Sequence, residues 1–221
     1  VLSGCDETGG SGFERLRGDK MILQALAKHY ENLAEAGKVS REGWIQAKVS
    51  YALDLTAEGE IAGIISLKRG EERGKKKILI PALLQVPEMV TRSSGVSANF
   101  LCDNSKYLLG IDAEGTNQRV MECFQASRKR HLSLLKGIEG TMAQAVRRFF
   151  ETWDPEKAGQ NEAVAENWDG LTEGGNLIFS MDIGMEYAQD DELIKDAWER
   201  EQRQSENGVQ GVCLVTGRKE N

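Results

Sequence analysis

No apolar run in the sequence approaches the roughly 20 residues that a helix needs to cross a bilayer. No charged-then-apolar leader opens it, so the expectation is a chain that neither spans a membrane nor is secreted. Cysteine is sparse. Cys5, Cys102, Cys123 and Cys213 include no C-x-x-C pair, and only His29 and His131 could join them. A structural zinc site needs ligands paired at short range, so the thiols read as lone core residues of a reducing compartment, with no metal or other cofactor expected. Three prolines against 24 glycines, with 40% hydrophobic and 29% charged residues, exclude collagen-like and disordered classes. At 221 residues the chain suits one large domain, or one with a small appendage.

What is present is charge of unequal placement. The net charge is -7, yet residues 21–150 hold 19 basic and 14 acidic side chains, whereas 151–206 hold 4 basic and 16 acidic. The first part can offer an anion-binding face; the second reads equally as a solvated helical surface or as one that seeks cations.

Residues 1–20, with Gly-Gly-Ser-Gly at 9–12, lack periodicity and read as an engineered or upstream extension, or else as an ordered arm. From Ile22 the positions Ile22, Leu23, Leu26, Ala27, Tyr30 and Leu33 repeat with a helical period up to Gly37. The stretch 47–55 alternates and, through a turn at Glu58-Gly59, leads to the β-branched run 61–67, which predicts a hairpin. A basic loop is expected over 68–77, then a short strand at 78–80 ended by Pro81. Residues 98–112 read as two strands around Asp103-Asn104. Helices are expected at 120–136 and, capped by Thr141, at 142–150, with Pro155 early in the next segment. A strand at 176–182, a helix at 190–203 and a strand at 212–215 complete the pattern. The class is α+β: antiparallel hairpins packed with several helices, hairpin-rich over 44–112, mainly helical over 118–170 and mixed over 174–217.

Three groups of residues could carry function. Lys68, Arg69, Arg73, Lys75, Lys76 and Lys77, with Glu71 and Glu72 between them, form a cationic segment that either binds phosphates or is a solvated hairpin tip. It is not a phosphate-binding P-loop, because only three residues separate Gly70 from Gly74 and no Ser or Thr follows the lysine. Arg92, Ser93, Ser94, Asn99 and Asn104 gather directional hydrogen-bonding groups that suit either base edges or local turn chemistry. Ser94 or Ser97 with His131 lacks a nucleophile-elbow pattern, and Asp182, Asp190 and Asp191 fit helix capping better than a metal nuclease. The tryptophans at 44, 153, 168 and 198 have the neighbours of core residues.

Seven segments occur in order: MILQAL at 21–26, GWIQAKVSYAL at 43–53, RSSGVSANFLCDN at 92–104, YLLG at 107–110, FFETW at 149–153, GNLIF at 175–179 and CLVTG at 213–217. Together they resemble the CRISPR-associated large subunit of type I-C Cascade, from Met21 to Gly217. The resemblance implies the N-terminal portion of a longer protein, lacking the family's C-terminal helical bundle. It implies a bacterial cytoplasmic ribonucleoprotein in which this part recognises the protospacer-adjacent motif in duplex DNA and helps start the R-loop, beside the crRNA 5′ handle and the backbone subunits. Target cleavage by a separate helicase-nuclease is implied too, so no catalysis is expected of this chain. A phage-encoded anti-CRISPR protein is a further partner left open. On this reading the residues of 68–77 contact phosphates or enter the duplex, while Arg92, Ser93, Ser94, Asn99 and Asn104 read the minor groove. The alternatives are a docking module of the same complex with little DNA binding, and a nuclease built on Asp182, Asp190 and Asp191.

Overall fold

The computed structural model describes residues 22–30, 32–33, 41–73, 76–92, 95–205, 211–212 and 219–220. The chain divides into two compact units, one of Val1–Arg41 with Ser205–Asn221 and one of Glu42–Gln204. The first holds helix α1, over 22–30 and 32–33, and the antiparallel pair β8 (Gly211–Val212) and β9 (Lys219–Glu220). Everything below belongs to the second.

Its sheet is organised by β1 (Trp44–Leu55), whose residues from Val49 to Leu55 are all buried. That run is apolar apart from Ser50 and Asp54, which is the composition of a strand covered on both faces. One edge of β1 pairs antiparallel with β2 (Ile61–Ser66) and β5 (Ala82–Pro87); the other pairs parallel with β6 (Asn176–Met181), which carries the short β7 (Glu186–Tyr187). The β1–β2 hairpin is as the sequence predicts. The parallel β1–β6 pair departs from the expected antiparallel arrangement, because the chain spends 88 to 172 largely in loops and helices before it returns beside β1.

Those helices are α2 (Ser105–Leu108), α3 (Gln118–Leu134), α4 (Thr141–Thr152), α5 (Glu162–Glu166) and α6 (Trp168–Thr172), with α7 (Glu192–Ser205) following β7. One face of the sheet buries Leu53, Leu55 and Phe179 against Phe124, Phe149, Phe150 and Trp198. The other buries Val49, Ala52 and Ile178 with Val86 and Cys102. A slip in register against β6 between Val49 and Tyr51 switches which face β1 presents. The β1–β2 turn lies on α4: a side chain at Gly59, whose φ is +85°, would meet the Phe149 amide nitrogen at 2.5 Å.

Three local expectations are corrected. The residues 98–112 form a buried loop and α2 rather than two strands, since the Asn104 side chain accepts a hydrogen bond from the Lys106 N–H and caps a helix where a turn was expected. The cap of α4 is Gly140, with no side-chain bond, and Thr141 is already helical. Within the basic loop expected over 68–77, residues 69–73 and 76–77 are strand. Of the strand expected at 212–215, residues 213–215 lie outside the described residues. Trp44 and Trp198 are core, as are Cys102 and Cys123, both free thiols; burial pushes Cys102 up to about 12. Among the described residues, no helix is long and apolar enough to cross a membrane.

Candidate nucleic-acid interface

Between β2 and β5 the chain leaves the main sheet and forms a separate two-stranded sheet, β3 (Arg69–Arg73) with β4 (Lys76–Ile80). Five antiparallel pairs run from Arg69 opposite Ile80 to Arg73 opposite Lys76. Five residues at about 3.3 Å each give an arm of roughly 17 Å. The expected loop is therefore a hairpin, and the strand expected at 78–80 begins at Lys76. The strand signal was weak because residues 69–77 carry charges and glycine in place of apolar alternation; in the register Glu72 is the partner of Lys77. At the tip, by contrast, two cations occupy facing positions, Arg73 and Lys76, and Gly74 and Lys75 lie outside the described residues. From Lys68 to Lys77 there are six basic residues and two acidic ones.

Lys68 serves the root of this arm. Its ammonium donates to Glu173 at 2.9 Å and lies 4.8 Å from the centre of the Tyr51 ring. Burial opposes its charge, but the bond to Glu173 and the contact with Tyr51 prevail and hold its pKa above the ordinary lysine value. Lys68 thus ties the arm to β1 and to the end of α6, whereas Arg69 is exposed on the arm.

The second expected group is organised by a residue that the sequence suggested only as part of a turn. Asp103, wholly buried, accepts from Arg92 Nη1 at 3.0 Å and from Arg92 Nη2, and also from the backbone N–H groups of Asn99 (3.0 Å) and Asn104 (2.9 Å). Arg92 donates its remaining Nε–H to the Ser97 carbonyl at 2.6 Å and stacks 3.9 Å from the centre of the Tyr107 ring. Burial disfavours the guanidinium charge, and Asp103 overcomes this and raises the Arg92 pKa. Asn99 is buried and accepts from the Val90 N–H at 2.9 Å. Arg119 donates to the Gly95 carbonyl at 2.9 Å, so the described residues 95–104 are fixed from within and from α3. Arg92, Asn99 and Asn104 hold this loop; Ser93 and Ser94 lie outside the described residues.

His131 is fully buried, stacked 4.3 Å from Phe150, with Nδ1 bonded to the Ser127 carbonyl at 2.8 Å and Nε2 accepting the Leu101 N–H at 2.9 Å. Burial lowers its pKa to about 3, so it is neutral and its lone pair is committed. It holds Leu101 at a φ of +60° rather than serving a serine. Asp191 caps α7 through the Ile194 N–H at 3.0 Å, and among the described residues no three His, Cys, Asp or Glu side chains gather as a metal site.

A family model described as CRISPR-associated protein (Cas_Csd1) matches residues 26–221. The chain belongs to the Cas_Csd1 family. That is the family of the type I-C Cascade large subunit, as the seven segments imply, and it makes this Cas_Csd1 chain a component of a CRISPR-associated Cascade. No curated protein matches it. Within the Cas_Csd1 match lie both the arm and the Asp103-centred loop.

Proposed function

We propose that this chain supplies duplex-DNA recognition to a type I-C Cascade, engaging the protospacer-adjacent motif and helping to open the duplex there. The observation that carries this is the β3–β4 arm: a basic hairpin that forms its own two-stranded sheet outside the main one, rooted by Lys68 on Tyr51 and Glu173. The register sets Arg73 opposite Lys76, so both strands bring basic residues to the end of the arm, a composition that suits a polyanion. Arg69, Arg73, Lys75, Lys76 and Lys77 contact phosphates, while Lys68 positions the arm. Phosphate contacts fix register and orientation without reading sequence, so motif reading falls to a second element. Ser93 and Ser94 fill that role, next in sequence to Arg92, which Asp103 anchors. The crRNA then reads the rest by base pairing.

On this proposal the chain is not itself a nuclease. The crRNA 5′ handle and the backbone subunits flank it in a bacterial cytoplasm, and a separate helicase-nuclease cleaves the target. Titrating the isolated chain with a short duplex across salt tests the electrostatic part. Lys75→Ala, Lys76→Ala and Lys77→Ala together should weaken binding at least tenfold and make the salt slope shallower by about 2 to 3, since each phosphate contact contributes about 0.9. An unchanged slope would sink the assignment.

A further inference from the structure

The turn joining β6 to β7, residues 182–185, is built against the preferences of its own sequence. Asp182, Ile183 and Gly184 lie in succession at φ of +54°, +58° and +74°. Glycine tolerates that region, but a β-branched residue such as Ile183 is strained there. The turn is held by Asp54, a buried carboxylate at the C-terminal end of β1. Its oxygens accept from the N–H groups of Ile183 (3.2 Å) and Gly184 (3.0 Å) and from the Ser180 hydroxyl (3.0 Å). Gly184 rests on Ile65, where an added Cβ would come within 2.7 Å.

What this enforced geometry displays is apolar. Ile183 is 84% exposed and Met185 80%, the two most exposed large hydrophobic side chains among the described residues. A turn optimised for folding alone would place glycine or asparagine at Ile183, and strain held in place by its surroundings concentrates where a surface does work. Beside Met185 lies a hollow of about 210 Å³ lined by Met142, Met185, Glu186, Tyr187, Asp190 and Asp191. It combines an apolar floor and wall with three carboxylates, which fits a side chain with a long methylene stem and a cationic head. Residues 182–194 include five acidic residues and no basic one. That charge repels nucleic acid and steers a basic protein surface toward the knobs.

We propose that the 182–185 turn is a docking knob for a protein subunit. Ile183 and Met185 enter an apolar socket on the partner, and one partner lysine or arginine fills the hollow bounded by Tyr187 and Asp190. The inference rests on the chain being a Cascade component and is independent of whether the β3–β4 arm binds DNA.

The test uses the full chain and a purified subcomplex of crRNA with the remaining Cascade subunits. Ile183→Asp combined with Met185→Ser should weaken their association at least tenfold, while the melting temperature and the duplex affinity of the chain stay as they were. Ile183→Gly separates strain from recognition: it should raise the melting temperature by a few degrees and still weaken association several-fold. Glu186→Gln with Asp190→Asn should weaken association and reduce its salt dependence. Association with the subcomplex unchanged by the knob variants overturns the proposal. So does a wild-type chain whose sedimentation shows a concentration-dependent dimer that the knob variants abolish, since the occupant would then be a second copy. Loss of DNA binding in the arm variants with docking intact leaves this inference standing and touches the arm alone.

Discussion

Arg92 and Asp103 form a bidentate ion pair in which Asp103 is wholly buried and Arg92 is sandwiched onto Tyr107. The pair closes the loop 92–103 on itself, and the same carboxylate secures the amide groups on either side of the buried run from Phe100 to Cys102. Removing one partner leaves a buried charge uncompensated, which costs about 3 kcal/mol or more. Arg92→Ala should therefore lower the melting temperature by about 6 to 12 °C in a chain of this size. Arg92→Lys should recover little, because an ammonium can neither fork onto two oxygens nor stack as a plane. Thermal melts of the two variants check this; a lysine variant as stable as the parent would show that the fork is dispensable.

Gly59 should accept no side chain. Its φ of +85° and the 2.5 Å approach to the Phe149 amide nitrogen oppose any Cβ, and both atoms of closest approach, Phe149 N and Ala145 O, are backbone. Gly59→Ala should destabilise the chain by about 2 to 4 kcal/mol through displacement of the β1–β2 turn from α4. Urea unfolding measures it, and a cost below about 0.5 kcal/mol would mean the turn and helix are not packed as described.

His131 should make stability fall in mild acid. Its folded pKa is lowered to about 3 against an ordinary 6.5, so between those values the unfolded chain binds the extra proton. Stability is then highest above pH 6.5 and is lost as pH falls toward 3, on the order of 2 kcal/mol between pH 7.5 and 5 from this residue alone. Comparing unfolding curves of the parent and His131→Gln over that range isolates the contribution. The variant should start less stable and show the shallower pH dependence; parallel curves would count against a buried neutral imidazole.

Lys68 and the lysines of the arm should separate in their effects. Lys68→Met removes the bond to Glu173 and should weaken duplex binding by loosening the arm while leaving the salt slope within about one of the parent. The variant with residues 75–77 replaced by alanine should lose slope as well as affinity. Equal slopes in the two variants would place Lys68 on the phosphates rather than at the root.

How far these features could be read beforehand follows from where their partners lie. The helices α3, α4 and α7 and the strands β1, β2 and β6 bury apolar faces whose period is written locally, and each was legible to within a few residues. The run from Ala98 to Ile111 was not, because its shape is set from outside: His131 holds Leu101, and Asp103 bonds backbone to Leu177. The arm at 69–80 hid its strands for a different reason, since charges and glycine fill most of it where an apolar alternation would announce a strand. Asp54 and Asp103 carried a usable signal, an acid within an otherwise apolar stretch, which marks a buried carboxylate that must find donors. The cationic segment and its neighbours were visible from charge alone, but only the fold divides them into arm, root and loop supports.

The most direct measurement is a photo-crosslink. A photoreactive phenylalanine placed at position 75, and in a separate protein at position 183, is irradiated with a labelled duplex that carries the adjacent motif. The account predicts a crosslink to DNA from position 75 that is competed by unlabelled duplex, and none from position 183 on the acidic surface. DNA that binds the chain yet crosslinks at 183 and not at 75 would contradict it.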